Sequence, residues 1–447
     1  MRIASIKKHT VILGSGISGL SVAHFLSKKT DDFIVLEKSG KTGGNIHSKA
    51  MDGYVVENGP NTVLLNNESI KSLIKECGLW DKMSTPLKTA ENNRYVLHQN
   101  KLQLLPRNPI EFIKSPLLKW HEKLRLLKEP FVKPHKGDTS LAKFISKRFG
   151  KAILTQFVEP FVTGIYSGNP KKMSAKHTLK MIWEAEQKHG SVIKGLMKKK
   201  KDPKARMFNF PNGLSELTDK ISQKLKDNIQ CNTEVVSINK IEEGYEIIDS
   251  NDNIIHCQKI ISTIPAHSLS KIIDDFDVTA HLSAVEYVPV DVFHFGFDKK
   301  EVKNQAQGFG VLSKPSDNKH FLGILFNSRI FPHVSPKNQE LFTVIVGGSR
   351  QSELCSIEKG ELEKMILDEL IELMQCQKAP SFKNHTSYTK GIPQYGLELD
   401  QLILEIGKFE NNFPNFHILG NYFNGVSVSD CVKKSEELVE NTHFNNN

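Results

Sequence analysis

The stretch TVILGSGISGLSVAHFL, residues 10–26, decides the fold of this chain. Residues 11–13 are apolar, as in a buried parallel strand, and the apolar residues from Leu20 onward recur with a helical period. Between them, Gly14, Gly16 and Gly19 have the spacing G-x-G-x-x-G. A strand, a glycine loop and a helix in this order predict the phosphate-binding turn of a Rossmann-type unit.

Each glycine has a separate task in such a turn. Gly14 allows the tight turn, Gly16 lets the backbone approach a pyrophosphate, and Gly19 lets the helix pack closely against the strand. Ile17 and Ser18 begin the helix, where free N–H groups and a partial positive charge attract phosphate. We therefore predict that these residues bind a dinucleotide.

An acidic residue stands where the ribose of that dinucleotide is expected. Residues 33–36 are an apolar run that leads into Glu37, roughly 20 residues beyond the glycine loop. A carboxylate at this distance accepts hydrogen bonds from ribose hydroxyls. We assign Glu37 and the neighbouring Lys38 to the same site.

A second glycine turn narrows the choice of dinucleotide. Gly43 and Gly44 precede Asn45, so the chain can pass close to another part of the cofactor here, a feature that nicotinamide dehydrogenases lack. The arrangement resembles the flavoprotein signature in which a Rossmann loop, an acid and R-x-G-G line FAD. Lys41 stands where that signature has arginine, which keeps the charge but loses the planar guanidinium.

Four later segments resemble the other parts of that signature: VENGPNT (56–62), TEVVSI (233–238), ISTIPA (261–266) and LGNYFNGVSVSDCVKKSEE (419–437). The resemblance implies that these cofactor contacts are made by Gly44, Asn45, Gly59, Pro60, Asn61, Thr62, Val235, Thr263, Gly420, Asn421, Val426, Ser427 and Val428. Cys431 lies nearby but does not match a flavin attachment motif, so we predict non-covalent FAD.

The composition is that of a globular protein with anionic partners. The 447 residues carry a net charge of +10, and 38% are hydrophobic. The six cysteines are scattered, which predicts reduced thiols in a cytoplasmic setting, without disulfides and without a metal site. We expect neither a signal peptide nor a transmembrane helix, because the first strand follows within ten residues and no stretch reaches about 18 apolar residues, and we find no nucleic-acid motif.

Much of the positive charge lies in two segments. Residues 114–136 interleave lysines and Arg125 with leucines, Trp120 and Phe131, and residues 194–206 include the run 198–201 of four lysines. Such a pattern suits an interfacial helix on an anionic membrane. It suits a solvated helix face followed by a flexible lysine loop equally well. We predict peripheral association with the cytoplasmic, inner face of a membrane.

The fold class predicted is mixed α/β (α+β). A Rossmann-type FAD-binding domain would be assembled from residues 1–81, 206–272 and 393–447. Residues 82–205 would form a helical, membrane-associating insertion at the substrate entry, and residues 273–392 a substrate domain of mixed sheet, read as antiparallel.

The remaining sequence points to a family. The stretch 159–195, together with FNFPNGLSELTDKI (208–221), LGILFNSRIFPH (322–333) and GIPQY (391–395), closely resembles the oxygen-dependent protoporphyrinogen oxidase family over essentially the whole chain. The resemblance implies that FAD accepts hydride from a tetrapyrrole and that O2 reoxidises it. Six electrons would leave in three rounds, giving three H2O2 and an aromatic porphyrin in haem biosynthesis. The chemistry is centred on the flavin, so we assign no catalytic side chain.

Four residues are candidates for substrate binding. Arg94 resembles the family's propionate-binding arginine, since a guanidinium can hold a carboxylate through two hydrogen bonds, although it could also be a surface residue of a hairpin. Phe331 resembles the family's stacking phenylalanine but could equally be a core residue. Leu312 and Leu325 are weaker candidates for the apolar wall.

Three alternatives stay open at this point. Some bacterial relatives oxidise coproporphyrinogen III, which has four carboxylates. Another flavin oxidase of the amine-oxidase type, acting on amines or carotenoids, would share the glycine loop. A tetrapyrrole carrier could keep the fold without catalysis, although the intact loop and Glu37 argue against it. The oligomeric state, including a homodimer, is left undecided by the sequence.

Overall fold

The computed structural model describes residues 5–198 and 205–442. Part of the lysine run predicted as a flexible loop or membrane contact, residues 199–201 with Lys204, lies outside the described residues. The part of the chain that is described forms two seven-stranded sheets and two small two-stranded ones. This architecture confirms the predicted mixed α/β class.

The first large sheet, here called the nucleotide sheet, is built around the strand of the opening motif. Ser5–Leu13 pairs in parallel with Phe33–Leu36 on one side and with Ile254–Ser262 on the other, and Phe416–Ile418 continues the parallel part. Three further strands complete the sheet: Ile229–Gln230, Val235–Ile241 and Gly244–Asp249. Strands from distant parts of the sequence thus share this sheet.

Both faces are buried at the centre of the nucleotide sheet, so residues 11–13 and 33–36 are apolar without interruption. Ile12 and Val35 point to one face, and Val11 and Ile34 to the other, as the twofold period of a strand requires. The helices that contribute to the first face are Ile17–Leu26, Glu68–Glu76, Ser215–Lys224 and Val428–Asn441. Those of the second face include Ala266–Leu269, Phe276–Ser283 and Leu399–Asn412.

The second large sheet, here called the substrate sheet, has the strand order Phe382–Pro393, Tyr287–Asp298, Gln339–Gly347, Gly323–Leu325, Gly310–Leu312, Tyr95–His98 and Lys101–Leu104. It is antiparallel except where Gly310–Leu312 meets Tyr95–His98. The helix Lys359–Met374 packs against the core on this sheet.

Two features of the substrate sheet differ from expectation. The hairpin at 95–104 joins this sheet, although the sequence placed it within the helical insertion, because its first strand pairs with Gly310–Leu312, more than two hundred positions away. The strand Phe382–Pro393 was not predicted, since its polar residues hide the alternation of a strand with one exposed face.

The rest of residues 82–198 is mostly helical, as predicted. The helices are Lys88–Asn92, Pro109–Lys114, Trp120–Arg125, Leu141–Arg148, Lys151–Ile153, Glu159–Tyr166, Ala175–Thr178, Lys180–His189 and Val192–Lys198. A 3₁₀ segment covers Leu126–Phe131 and a π-helical segment Leu154–Val158. The short strands outside the large sheets are Ser48–Met51, Tyr54–Glu57, Val63–Leu65 and Arg206–Phe208.

Candidate active site

The glycine loop has the geometry that its spacing predicts. Gly14 has φ +89°, a conformation that side chains disfavour, and its N–H donates to the carbonyl of Leu36 at 2.8 Å. A Cβ on Gly19 would lie 1.9 Å from the carbonyl oxygen of Gly14, so only glycine lets the helix begin this close to the strand. Both glycines are required by the protein's own packing.

Gly16 is different, because within the described residues, its two chain neighbours aside, no atom lies within 4 Å of the place where its Cβ would be. The space beside it is open, and it adjoins the start of the helix Ile17–Leu26, whose first turn has no side-chain cap and no acidic residue. Uncapped N–H groups and an approachable backbone are what a pyrophosphate needs. The residues present therefore fit a dinucleotide.

Glu37 is held firmly by its neighbours. Its carboxylate accepts hydrogen bonds from the N–H and hydroxyl of Ser15, both at 2.8 Å, and from the N–H and hydroxyl of Ser39, at 2.9 and 2.7 Å. Burial alone would raise the pKa of Glu37, but these four bonds outweigh it and hold the pKa below its usual value. Glu37 is thus an anion that shapes the loop, and its contact with a ribose stays a prediction, as does that of the exposed Lys38.

The second glycine turn lies against the first. Gly43 forms a β-bridge with Gly16, and its N–H donates to the carbonyl of Ser15 at 2.9 Å. A Cβ on Gly44 would lie 3.0 Å from the Cα of Gly16. The structure therefore brings the two turns that were predicted to hold one cofactor into direct contact.

The segment 56–62 reaches the same place. A Cβ on Gly59 would lie 1.8 Å from the carbonyl oxygen of Asn45, so the segment passes directly over the second turn. Asn61 accepts from the amide of Asn327 at 3.0 Å and so connects the segment to the short helix Asn327–Ile330, which follows a strand of the substrate sheet. Pro60 and Thr62, on either side of Asn61, are half-buried.

A buried polar network that sequence reasoning missed fixes this segment. The Glu57 carboxylate accepts from the amide of Asn209 at 3.1 Å and from the N–H of Leu214 at 2.8 Å, and burial raises its pKa. The imidazole Nε2 of His294 lies 3.2 Å from the carbonyl oxygen of Glu57, and burial lowers the pKa of His294 to about 4. His294 is therefore neutral, and Nε2 is the nitrogen that donates.

The remaining predicted cofactor contacts surround the loop. The Thr263 hydroxyl donates to the carbonyl of Leu13 at 2.7 Å, beside Gly14. Val235 is half-buried at a register shift in its strand, and the N–H of nearby Thr233 donates to the carbonyl of Glu37 at 2.9 Å.

The segment 419–437, here called the closing motif, reaches the glycine loop through its helix. Ser427 caps the helix Val428–Asn441 in a capping box with Asp430, and Val426, Ser427 and Val428 are half-buried. The Ser435 hydroxyl of that helix donates to the carbonyl of Ser18 at 3.0 Å. The turn 420–425, which contains Gly420 and Asn421, precedes the helix and is also held by two side chains that the sequence did not single out, Tyr395 and Lys434.

Arg94 lies beside the substrate sheet, where its guanidinium also reaches the Sδ of Met207 at 3.7 Å. It directly precedes the strand Tyr95–His98, and its guanidinium donates to the carbonyl of Glu91 at 2.9 Å and lies 4.9 Å from the ring centroid of Phe309. Burial lowers its pKa, and no carboxylate pairs with it within residues 5–198 and 205–442. A half-buried guanidinium without an acidic partner suits an anionic ligand.

The three apolar candidates for substrate binding are packed against other residues of the protein. Phe331 is 3% exposed in a cluster with Tyr54 and Phe382, and Leu325 packs against that cluster. The side chain of Leu312 packs against Gly164, since a Cβ on Gly164 would lie 2.9 Å from the Cδ2 of Leu312. Phe331 therefore has the surroundings of a core residue, and the substrate contacts of all three residues stay predictions.

Comparison with known proteins adds a family to this geometry. Residues 17–437 match the model of the flavin containing amine oxidoreductase family. A mitochondrial protoporphyrinogen oxidase of Nicotiana tabacum is 31% identical, over 96% of this chain and 93% of its own length. A coproporphyrinogen III oxidase of Bacillus subtilis is 24% identical, over 97% of both chains.

Solved structures share the fold. A protein from Exiguobacterium sp. 255-15, provisionally named a protoporphyrinogen oxidase, superposes with a TM-score of 0.85 at 20% identity, over 98% of this chain and 99% of that one. A putrescine oxidase bound to putrescine gives a TM-score of 0.72 at 14% identity, over 98% and 99% of the two chains. The dinucleotide expected at the glycine loop is thus FAD, and the chain belongs to the flavin-containing amine oxidoreductase family.

Proposed function

We propose that this protein oxidises protoporphyrinogen IX to protoporphyrin IX with O2 as the electron acceptor, as a step of haem biosynthesis. The observation that carries the proposal is the similarity to the tobacco protoporphyrinogen oxidase, which extends over 96% of this chain and includes the substrate sheet as well as the nucleotide sheet. The amine-oxidase alternative is supported by fold alone, since the putrescine oxidase is 14% identical.

The division of labour follows from the site. Bound FAD supplies the hydride acceptor, from which O2 takes the electrons. The glycine loop and the segment 56–62 hold the cofactor against the nucleotide sheet. Arg94 anchors one propionate through two parallel hydrogen bonds and so orients the macrocycle, while the apolar side chains of the substrate sheet exclude water from it.

Coproporphyrinogen III is the second candidate substrate, because relatives named for it cover the chain equally well. The enzymes of Bacillus subtilis and Staphylococcus aureus are 24% and 26% identical, each over 97% of this chain. That substrate has four carboxylates and would need cations in addition to Arg94.

The experiment compares the two substrates directly. Purified protein is mixed in air with either porphyrinogen, and the red fluorescence of the porphyrin is followed above the autoxidation blank. A higher kcat/KM for protoporphyrinogen IX supports the proposal, whereas preference for coproporphyrinogen III moves the enzyme to the other reaction. Failure to oxidise either, with FAD bound, contradicts both.

Replacing the anchor tests the role of Arg94 in the same assay. We expect Arg94→Ala to raise KM roughly tenfold with a smaller effect on kcat, because a charge-assisted hydrogen bond made equally in ground and transition states contributes about 1.5 kcal/mol or more. Arg107→Ala, whose guanidinium pairs with Glu111 on the surface, is the control and should leave KM unchanged. An unchanged KM in Arg94→Ala would refute the anchoring role.

We further propose that the protein works at the cytoplasmic surface of an anionic membrane. In the insertion, Phe131 is 85%, Leu127 71% and Met197 82% exposed, with Trp120 and Ile110 also exposed beside many lysines. Large apolar side chains next to cations suit the headgroup region of a bilayer. No helix within the described residues is long and apolar enough to cross a membrane. The six cysteines are free thiols, in keeping with a reducing compartment.

A further inference from the structure

A buried ammonium group lies beneath the turn that leads into the closing helix. The Lys434 Nζ donates to the carbonyl oxygens of Gly420 at 2.5 Å, Phe423 at 2.8 Å and Gly425 at 3.1 Å. A lysine has three N–H donors, so all three are used on one turn. Lys434 is half-buried as a residue, and burial of its ammonium group lowers the pKa of Lys434.

A second side chain holds the same turn from the opposite element. The Tyr395 hydroxyl donates to the carbonyl oxygen of Asn421 at 3.0 Å and accepts from the N–H of Gly425 at 3.1 Å. Tyr395 is fully buried and follows the strand Phe382–Pro393, whereas Lys434 belongs to the helix Val428–Asn441. The two residues thus fasten the turn to both the substrate sheet and the closing helix.

The turn needs these bonds because it is not regular structure. Asn424 and Gly425 have φ of +54° and +117°, and a Cβ on Gly425 would lie 2.6 Å from the Cβ of Asp430. A segment with left-handed residues keeps one path only where its surroundings hold it. The five backbone groups bound by Lys434 and Tyr395 are those surroundings.

The pair Lys434 and Tyr395, here called the clamp, is connected to the expected cofactor site by the position of the turn. It leads directly into residues 426–428, and the helix that follows donates from Ser435 to the carbonyl of Ser18 in the glycine-loop helix. A shift of the turn therefore changes the distance between the closing motif and the glycine loop, the two parts expected to face FAD.

We propose that Lys434 and Tyr395 are positioning residues for FAD, which set the backbone path of residues 420–425 and through it the rate at which the protein releases the cofactor. The proposal concerns cofactor retention, so it stands whichever porphyrinogen the enzyme oxidises. Neither residue needs to touch FAD itself.

The test measures FAD release from the holoenzyme after dilution, as the rise in fluorescence of free flavin, at a temperature well below unfolding. We expect Lys434→Met to release FAD at least about tenfold faster, since several charge-assisted bonds are lost, and Tyr395→Phe about threefold faster. Lys433→Met is the matched control, because the neighbouring Lys433 is half-exposed and lies 3.5 Å from the surface residue Glu437.

The unfolding midpoint of each holoenzyme separates positioning from general stability. A lower midpoint with a parental release rate in both Lys434→Met and Tyr395→Phe overturns the proposal, because a merely structural residue would behave in this way. Lys434→Arg keeps the charge and the donors, and we expect its release rate to lie nearer the parent than that of Lys434→Met. If Lys434→Met does not fold, faster release from Tyr395→Phe supports the proposal and parental release contradicts it.

Discussion

The glycine loop and the insertion arrange polar and apolar groups in opposite ways. Around the loop, Val11, Ile12 and Leu20 are completely buried, and the open space lies beside the backbone at Gly16. In the insertion, Phe131 and Leu127 lie largely in solvent.

The interior of the insertion also contains charges, which lie among apolar core residues such as Phe144 and Trp183. Arg148 is 1% exposed, and its guanidinium donates to the carboxylates of Glu129 at 2.8 Å and Glu186 at 2.6 Å. Glu129 also accepts from the N–H of Val192 at 2.9 Å and so fastens a further helix. The comparison teaches that buried charges help to hold the helices of this segment together, while some of its large apolar side chains stay exposed.

The largest effect is expected at the open side of the glycine loop. Gly16→Val should abolish FAD retention, because its methyl groups would occupy the space beside the phosphate-binding backbone. The unfolding midpoint of the FAD-free protein should not change much, since no protein atom lies close to the new side chain. Flavin absorbance of the purified variant and its thermal unfolding measure the two properties.

Gly19→Ala is the matched comparison within the same loop. Its Cβ would lie 1.9 Å from the carbonyl oxygen of Gly14, so we expect it to lower the unfolding midpoint even without FAD. A yellow Gly16→Val protein would show that the open space is not where the cofactor binds.

How much of the fold and of the candidate site could be predicted from the sequence depends on how far apart in the chain the interacting residues lie. The glycine loop is local, and the spacing of Gly14, Gly16 and Gly19 was enough to predict its turn, its helix and its neighbouring strand. Glu57 and Asn209 bond across 152 positions and His294 reaches Glu57 across 237, so no local pattern announces that network.

The role of the clamp and the burial of Phe331 could not be predicted from the sequence, for other reasons. Lys434 belongs to a sequence that resembles an ordinary charged helix face, and only the turn in front of it shows what its ammonium binds. Phe331 followed a family pattern, but its 3% exposure reflects packing from the strand Tyr54–Glu57 and from Phe382, which lie far away in the chain. Burial depends on the assembled fold, whereas periodicity is a property of each segment.

The second prediction concerns the interior of the insertion. Arg148→Met should lower the free energy of unfolding by about 3–5 kcal/mol, because it leaves the buried carboxylates of Glu129 and Glu186 without their cation. Urea unfolding measures the loss. Arg107→Met removes an ion pair of the same kind with Glu111, but that pair is exposed and we expect little change. Equal effects of the two variants would show that the buried charges do not hold the insertion together.

The third prediction concerns its surface. A variant with Trp120, Leu127 and Phe131 all replaced by serine should sediment with anionic vesicles at least about tenfold more weakly, because each side chain contributes apolar area to the bilayer. Its unfolding midpoint should match the parent, since these side chains are already exposed. The parent's binding should weaken with salt. Phe276→Ser removes an equally exposed phenylalanine outside the insertion and serves as the control.

If the triple variant bound vesicles as strongly as the parent, only the lysines would remain as membrane contacts. If binding of the parent did not weaken at high salt, the lysines would be excluded as well. Binding that is lost together with the unfolding midpoint would place these side chains in the core, against their observed exposure.

The smallest effect is expected in acid, at the edge of the glycine-loop helix. Burial disfavours the charged form of Glu76, but hydrogen bonds from Lys28, His24 and Ser72 lower its pKa from 4.5 to about 2. Because this pKa is lower in the folded state, the contribution of Glu76 to stability is complete above pH 4.5 and is lost as the pH falls towards 2. Glu76→Gln should therefore lower the unfolding midpoint at pH 7 and approach the parent in acid.

Glu111→Gln extends the comparison to the insertion, because the bond from Arg107 also lowers the pKa of Glu111 to about 2. The two carboxylates are about equally exposed, 31% for the Glu111 side chain and 34% for that of Glu76. Arg107 and Glu111 are only four positions apart, however, whereas Glu76 connects the helix Ile17–Leu26 to the helix Glu68–Glu76. We expect Glu111→Gln to unfold as the parent does between pH 7 and pH 3. If both variants lost stability equally at pH 7, an ion pair within one short segment and one that connects two helices would contribute alike, and the nucleotide sheet and the insertion would not differ in what their surface charges do.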